Sequence, residues 1–324
     1  MPTVAPLDLE GHCLAAVFLN DIPHFAFADG AVHRLDHGLK TVQANDGLLA
    51  TAHDAANDRL VTGGEDGKVL AVKADGTAQE LANAGKKWIT SVAAGPQGAV
   101  AYGSGRNAFV RFADGKVKEF PHPRSVEGVA FAPKGMRIGV ARYNGATLHF
   151  PAADGKPVEL EWAGAHTGIT FSPDGNFLVT AMQENALHGW KLADGKHMRM
   201  SGYPAKVKSL SWAVKGRWLA SSGAPAAIVW PFQAKDGPMG KAPLELGTRG
   251  GAMVTCVACH PGQEVVAIGY DDGMVIAARF ADSKDVLLRR AGKGAVTAMA
   301  WDKEERRIAF GSAAGDCGVI DIAG

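Results

Sequence analysis

The fold is decided by a stretch that reads VEGVAFAPKGMRIGVARYNGATLHFPAADG, from Val126 to Gly155. It opens with an apolar run, Val126–Phe131, and continues into the turn Ala132-Pro133-Lys134-Gly135. Two further apolar runs follow, joined by a tight turn, and Asp154-Gly155 ends the third. Short apolar runs bounded by Gly, Pro, Asp and Asn are typical of strands joined as hairpins.

The same unit recurs along the whole chain. Its closing turn carries an Asp at positions 36, 75, 114, 154, 194, 236 and 282, with spacings of 39, 39, 40, 40, 42 and 46 residues. A fourth, more polar run such as Pro157-Val158-Glu159-Leu160-Glu161 follows the turn. No segment keeps the 3.6-residue apolar period of a helix, so we expect essentially no helix. Four antiparallel strands in about 40 residues predict one blade of a β-propeller.

The number of first strands gives the number of blades. We place these strands near residues 14–19, 48–53, 89–94, 126–131, 167–171, 207–212, 254–259 and 296–301. The sequence therefore predicts an all-β, eight-bladed β-propeller of four-stranded antiparallel blades. A seven-bladed ring, with the first unit through Leu35 as an extension, is the alternative.

The two ends of the chain complement each other. The last unit lacks a fourth strand, and the unassigned run Ala5-Pro6-Leu7-Asp8-Leu9 precedes the first unit. We expect this N-terminal strand to pair in the last blade and close the ring, which hides an otherwise open sheet edge. Because each unit buries its apolar faces only against its neighbours, we predict one domain over residues 1–324.

Composition narrows the class of protein. Thirty-four Lys and Arg against thirty-three Asp and Glu give a formal charge of +1, whereas nucleic-acid binding rests on a large cationic surplus. Four Cys are too few for a disulfide scaffold. No basic leader precedes the first unit, and the uncharged residues 218–234 are interrupted by two prolines. We expect a cytoplasmic monomer that binds neither nucleic acid nor membrane.

Several motifs resemble those of the WD-repeat family. The run from Val126 to Gly135 and the run from Gly168 to Gly175 are similar to its first strand and following turn. Glu65-Asp66-Gly67 resembles its turn before the third strand, and Gly11-His12 its Gly-His start. Trp190 and Trp230 fall at its Trp position. The resemblance covers nearly the full chain and implies a propeller that binds protein partners at the mouth of a central channel.

The chain is a degenerate member by this comparison. The family's structural tetrad combines a His, a Ser or Thr, a turn Asp and a Trp, and no unit here has all four. One unit has His166 and Trp190, but Glu184 replaces the Asp. Two others have Asp66 and Asp272 but lack the Trp.

Two motifs that carry chemistry elsewhere are predicted to be structural here. Cys256-Val257-Ala258-Cys259-His260 matches a haem c attachment signature, but it aligns with a first strand, where residues i and i+3 face opposite sides. We therefore expect the two cysteines to be small buried residues. The segment from Gly63 to Lys68 leads into a strand rather than a helix, so it predicts a hairpin turn and not a phosphate loop.

The first strands lack an acid–base pair. Glu127 is their single acid and His53 their single His, and one carboxylate makes neither a paired catalytic site nor a metal cage. We expect no enzyme activity, no catalytic residue, no metal and no cofactor. The alternative is a propeller enzyme, or a protein that binds a small ligand or metal, using the central channel.

Surface recognition remains, and aromatic residues and Arg dominate binding hot spots. We predict a non-catalytic interaction scaffold whose partner is a protein or peptide segment of acidic character. The predicted partner-binding residues lie in loops around the channel mouth and are Trp88, Arg106, Arg124, Arg142, Tyr143, Tyr203 and Tyr270.

Overall fold

The computed structural model describes residues 2–153 and 155–322, which form thirty β-strands and no α-helix. Asp154 of the predicted turn series, and the domain ends Met1, Ala323 and Gly324, lie outside the described residues. Two 3₁₀ turns occur, Pro96–Gly98 and Val214–Gly216. The described residues therefore agree with the predicted all-β class.

The strands are short and follow one another closely. The first thirteen are β1 (Thr3–Asp8), β2 (Cys13–Leu19), β3 (Ile22–Phe27), β4 (Ala31–Leu35), β5 (Leu39–Gln43), β6 (Leu48–Asp54), β7 (Arg59–Gly64), β8 (Lys68–Lys73), β9 (Ala78–Asn83), β10 (Ser91–Ala94), β11 (Val100–Ser104), β12 (Asn107–Arg111) and β13 (Val117–Pro121). The next six are β14 (Val126–Phe131), β15 (Ile138–His149), β16 (Val158–Phe171), β17 (Phe177–Met182), β18 (Ala186–Lys191) and β19 (His197–Met200). The last eleven are β20 (Leu210–Trp212), β21 (Trp218–Ser221), β22 (Ala227–Pro231), β23 (Leu244–Leu246), β24 (Val254–Cys259), β25 (Val265–Tyr270), β26 (Val275–Arg279), β27 (Asp285–Arg289), β28 (Val296–Trp301), β29 (Arg307–Ser312) and β30 (Asp316–Asp321).

Hydrogen bonding groups these strands into seven antiparallel sheets within the described residues, and each sheet is here called a blade. Six blades have four strands, in the orders β1-β30-β29-β28, β2-β3-β4-β5, β6-β7-β8-β9, β10-β11-β12-β13, β20-β21-β22-β23 and β24-β25-β26-β27. The seventh has six strands in the order β14-β15-β16-β17-β18-β19.

The prediction of eight blades is therefore wrong, because two repeat units share the six-stranded blade. Six of the eight predicted first strands lie within strands, and those predicted at residues 89–94 and 207–212 overlap the shorter strands β10 and β20. However, β15 pairs with β14 up to Arg142 and then changes partner, so that Gly145 opposes Glu161 of β16. The second half of β16 pairs with β17, starting at His166. The merger does not involve the first unit, which the seven-bladed alternative had treated as an extension, since β2 to β5 form a blade of their own.

The two chain ends pair as predicted. Strand β1 is antiparallel to β30, with Val4 opposite Ile320 and Leu7 opposite Cys317. The Leu9 amide continues this pairing with a 2.9 Å hydrogen bond to the Gly315 carbonyl. The N-terminal strand thus completes the last blade, which would otherwise have three strands.

A turn before a third strand shows why glycine is needed in these hairpins. Gly67 between β7 and β8 has a φ of +75°, a conformation that other residues adopt only with strain. A Cβ atom at this position would also collide with the Gly85 carbonyl oxygen. The Asp66 carboxylate accepts a 3.1 Å hydrogen bond from the Lys68 amide, which closes the turn. The segment is a hairpin turn, as predicted.

The contacts between residues divide the chain into two compact units. Unit 1 contains the residues up to Phe27, His33–Leu39 and the residues from Gly202 onward, and unit 2 contains Ala28–Val32 and Lys40–Ser201. In unit 1, Cys13, Phe25 and Ala309 belong to one apolar core cluster. In unit 2, Leu178 packs in a cluster with Trp190, which is 2% exposed. The organisation into a single domain stays a prediction.

Candidate functional site

A pocket of about 550 Å³ lies in unit 2 and contains three of the predicted partner-binding residues. Arg124 comes from the loop between β13 and β14, and Arg142 and Tyr143 come from the middle of β15. The remaining lining residues are Pro123, Asn144, Glu159, Glu161, Trp162 and Ala163. We name this cavity the Tyr143 pocket.

The partner change in β15 places Tyr143 at the surface. The strand register shifts between Tyr143 and Gly145, and Asn144 has a φ of +65° at this bulge. A Cβ atom on Gly145 would collide with the Leu160 carbonyl oxygen, so the close approach of the two strands requires glycine. The Asn144 side chain accepts a 3.2 Å hydrogen bond from the Gly164 amide. As a result, Tyr143 is 50% exposed.

Arg142 is buried below the pocket and bound by its neighbours. Its Nε donates a 3.0 Å hydrogen bond to Thr147 Oγ1, and its Nη2 forms an ion pair with Glu159. Its Nη1 donates to the Tyr143 carbonyl at 3.0 Å, and Thr147 donates to Glu159 Oε2 at 2.8 Å. The guanidinium therefore holds the β15 bulge in place rather than presenting a free cation.

The same contacts keep Glu159 ionised. Partial burial raises the pKa of this carboxyl, but hydrogen bonds from Arg142 and Thr147 outweigh burial and leave the pKa below its ordinary value. The pocket lining contains two Arg and two Glu, so its formal charge is zero. Of these four charged residues Arg142 is buried, whereas Arg124, Glu159 and Glu161 are exposed.

A buried pair of histidines anchors the loop that carries Arg124. The Nε2 atoms of His122 and His149 lie 3.2 Å apart, and the His149 ring packs against Phe120 with centroids 4.5 Å apart. Burial, followed by the proximity of His122, lowers the pKa of His149 to about 4. The pair is therefore neutral near pH 7, one ring donating to the other.

Trp162 also lines the pocket, and its ring packs against the rings of His188 and His197. Its ring lies 4.2 Å from that of His188, at an interplanar angle of 18°. His188 is fully buried, and neither ring nitrogen has a hydrogen-bond partner in the structure. Burial and the charges of nearby basic groups lower the pKa of His188 to about 3, so the ring is neutral. Trp162 is thus held in a fixed position.

The remaining predicted residues do not line this pocket. Trp88 and Arg106 are exposed and belong to unit 2, and Trp88 is 55% exposed. The Arg106 carbonyl accepts a 2.8 Å hydrogen bond from the His122 amide, which connects its loop to the histidine pair.

Tyr203 and Tyr270 lie in the interior of unit 1, contrary to their predicted position on an exposed rim. The Tyr203 hydroxyl is 2.7 Å from Ser221 Oγ and accepts a 2.7 Å hydrogen bond from Trp230 Nε1. The Tyr270 hydroxyl donates to the Gly247 carbonyl. Burial raises the pKa of each tyrosine to about 12. Both side chains stabilise their repeat units and are unavailable at a surface.

Sequence reasoning missed Glu159, Glu161 and Trp162. The signal was present, because residues i and i+2 of a strand share a face. Glu159 and Glu161 therefore had to point the same way in the polar fourth run. What the pattern could not show is that the next first strand continues directly from this run, which brings Trp162 to the wall of the pocket.

The residues considered for redox or metal chemistry lie in structural positions. Cys256 and Cys259 belong to different core clusters, as expected for opposite faces of β24. Burial raises the pKa of Cys256 to about 11 and that of Cys259 to about 12. Glu127 and His53 are exposed. Among the residues that the structure describes, no group of three or more His, Cys, Asp or Glu is arranged to hold a metal ion.

Comparison with known proteins identifies the fold. No family model and no curated protein matches the chain. The structure is similar to the crystal structure of the computationally designed Ika8 protein, with a TM-score of 0.77 and 20% identity over 97% of this chain and 98% of that chain. It is also similar to a chain of a mitotic checkpoint complex, with a TM-score of 0.69 and 15% identity over 85% of this chain and 86% of that chain. Identities this low show the fold alone, and the fold is an all-β β-propeller.

The helical content of the described residues is limited to the two 3₁₀ turns. None of it has the length and hydrophobicity that a bilayer crossing requires.

Proposed function

We propose that this chain is a degenerate WD-repeat propeller that acts as a non-catalytic scaffold and binds a segment of a protein partner in the Tyr143 pocket. The observation that carries this proposal is the pocket itself. An exposed Tyr143 and a fixed Trp162 face a cavity of about 550 Å³ whose rim carries Arg124. Tyr, Trp and Arg are the side chains that contribute most at protein interfaces.

The charges of the pocket refine the acidic partner that we expected. Glu159 compensates Arg142, so Arg124 is the exposed cation of the lining. A long acidic run would also meet Glu161. We therefore propose a partner segment with one acidic side chain opposite Arg124 and an aromatic or branched apolar side chain between Tyr143 and Trp162.

The composition of the chain indicates which class of partner to expect. The formal charge of +1 supports a protein partner rather than a nucleic acid. We propose that the chain works as a cytoplasmic monomer and not at a membrane.

A pull-down with matched variants tests the pocket. The tagged wild-type chain is incubated with a lysate of its source organism, beside Tyr143→Ala, Arg124→Glu and the control Leu39→Ala. Leu39 is 47% exposed and lies on β5, outside the pocket. We expect partners retained by the wild type and the control to be lost from both pocket variants. Retention of the same partners by Tyr143→Ala and Arg124→Glu, with unchanged circular dichroism, would refute the proposal.

A Trp88→Ala variant separates the pocket from a wider binding surface. Trp88 is as exposed as Tyr143 but does not line the pocket. If the pocket alone binds the partner, this variant retains it. If Trp88→Ala and Arg106→Ala also lose the partner, the interface extends over the full predicted set of unit 2.

A further inference from the structure

The geometry points to an oxidative modification site at Cys13 and Cys317, where a peroxide would join the two side chains in a disulfide. The cross-link would covalently connect β2, the first strand of the first repeat, with β30, the last strand of the last repeat. This inference is independent of the proposed function.

The sulfur atoms of Cys13 and Cys317 both lie beside Gly311. Cys13 begins β2 and Cys317 lies in β30, and both belong to the same core cluster of unit 1 with 0% exposure. Both Sγ atoms lie within 3.3 Å of the point where a Cβ atom of residue 311 would be. Only glycine at position 311 leaves room for the pair. Each thiol also shifts the pKa of the other.

The backbone around the pair is held in position by polar contacts. The Thr297 hydroxyl, from β28, lies within hydrogen-bond distance of the Cys13 carbonyl and 3.2 Å from the Gly311 carbonyl. Cys13 Sγ donates to the Ala15 carbonyl at 3.3 Å. These contacts hold the Cys13 backbone beside Gly311, where both sulfur atoms lie.

The two thiols differ in acidity, which assigns their roles. The interaction with Cys317, together with burial, raises the pKa of Cys13, whereas the interaction with Cys13 lowers the pKa of Cys317. Cys317 is therefore the thiol that loses its proton first, and the thiolate is the nucleophile.

The reaction balances with a hydroperoxide as the oxidant. The Cys317 thiolate attacks one peroxide oxygen, the O–O bond breaks, and the products are the Cys317 sulfenic acid and hydroxide, which takes a proton to form water. Cys13 Sγ then attacks the Cys317 sulfur and displaces hydroxide, which takes the Cys13 proton and leaves as a second water molecule. Two electrons pass from the two sulfur atoms to the peroxide.

Access to the pair runs through the edge of the blade. Cys317 is paired with Leu7 of β1, and β1 is the edge strand of its blade with four of its six residues exposed. Transient opening of this strand uncovers the Cys317 side of the pair. We therefore expect oxidation to be slower than that of an exposed thiol and faster in a mild concentration of urea.

The other two cysteines provide an internal control. Cys256 and Cys259 face opposite sides of β24, and burial raises the pKa of both. Neither has the geometry or the acidity of the Cys13–Cys317 pair. We expect both to remain thiols under the same treatment.

The experiment treats the purified full-length chain with hydrogen peroxide and maps disulfides by mass spectrometry of non-reduced peptides. We expect one cross-linked species that contains Cys13 and Cys317, reversible by dithiothreitol. Because the bond closes a loop over nearly the whole chain, it should raise the melting temperature on the order of 5–10 °C. Cys13→Ser and Cys317→Ser should abolish both effects, and Cys256→Ser should retain both.

Three results would overturn the inference. The first is full alkylation of Cys13 and Cys317 after peroxide treatment in mild urea. The second is oxidation of Cys317 to sulfinic acid without a cross-link. The third is a disulfide from either residue to Cys256 or Cys259. Because peptide mapping is carried out on the wild-type chain, these results do not depend on whether a serine variant folds.

Discussion

Replacement of Tyr203 by Phe tests the buried hydrogen-bond network that Tyr203 forms with Ser221 and Trp230. The substitution removes a single oxygen atom from a side chain that is 7% exposed. That oxygen accepts the hydrogen bond of Trp230 Nε1 and shares another with Ser221 Oγ. Ser221 keeps a 3.0 Å bond to the Ile228 carbonyl, but the indole nitrogen loses its acceptor.

The expected loss of stability follows from the buried Trp230 Nε1–H, which is left without a hydrogen-bond acceptor. An unsatisfied buried donor costs about 1–3 kcal/mol, so we expect a loss of roughly 2 kcal/mol in the free energy of unfolding. For a chain of this length that corresponds to a fall of about 3 °C in the melting temperature.

The same substitution at Tyr143 is the matched control. Tyr143 is 50% exposed, so its hydroxyl can be replaced without leaving a buried donor. We expect Tyr143→Phe to unfold within about 0.5 kcal/mol of the wild type. Unfolding in guanidinium chloride, followed by circular dichroism, compares the two variants. If Tyr203→Phe is no less stable than Tyr143→Phe, the hydrogen bonds of Tyr203 do not stabilise the folded chain.

Two further predictions concern a turn and a buried histidine. Gly67→Ala should lower the free energy of unfolding by more than Gly105→Ala. Both positions have positive φ, but only a side chain at position 67 would collide with a carbonyl oxygen, that of Gly85. The denaturation midpoint of each variant measures the difference, and equal midpoints would contradict this prediction. The pKa of His188 in the folded state is about 3, below its ordinary value of 6.5. As the pH falls, the unfolded state therefore binds a proton before the folded state does. The stability of the folded state is lost as the pH falls from about 6.5 towards 3. His188→Phe should therefore show a smaller drop in melting temperature between pH 7 and pH 4.5 than the wild type. An equal drop would show that protonation of His188 does not cause the loss of stability.

The sequence was sufficient for the strands because their signals are local. Turn residues at positive φ, such as Gly67 between β7 and β8 and Asn185 between β17 and β18, mark hairpins regardless of what packs around them. The same reasoning failed at Asn144-Gly145, which has the composition of a turn but forms a bulge between two halves of β15. Whether such a pair ends a strand or bends it depends on the partner strand, and the sequence of β15 does not contain that information.

The site was predicted in part for a similar reason. Arg124 and Tyr143 are exposed, because both lie at a loop or bulge, and their role in binding stays a prediction. Arg142 and Tyr270 were assigned to loops, but each is the last paired residue beside a first strand and points inward. An error of one position along a strand exchanges the exposed face for the buried one. Tyr203 precedes its strand and is buried with hydrogen bonds to Ser221 and Trp230, contacts that the sequence pattern did not indicate.

Buried polar networks recur in three repeat units and are built from different side chains. In one unit the Asn45 amide accepts a hydrogen bond from Thr62 at 2.8 Å and donates one to Asp66 at 3.0 Å.

In another unit His166 Nδ1 lies 2.7 Å from Thr180 Oγ1. In a third unit the Tyr203 hydroxyl lies 2.7 Å from the second-strand hydroxyl of Ser221. Each network links the segment before a first strand to the second strand of the same unit, which is the connection that an isolated hairpin pair lacks.

Any side chain that can make this connection would stabilise the blade in the same way. A buried polar group requires a partner but not a particular one, since its cost is removed by any well-placed hydrogen bond. Pairs and triads of different chemistry can therefore serve the same purpose in different units, and the hydrogen bonds of Asn45, His166 and Tyr203 are three such arrangements.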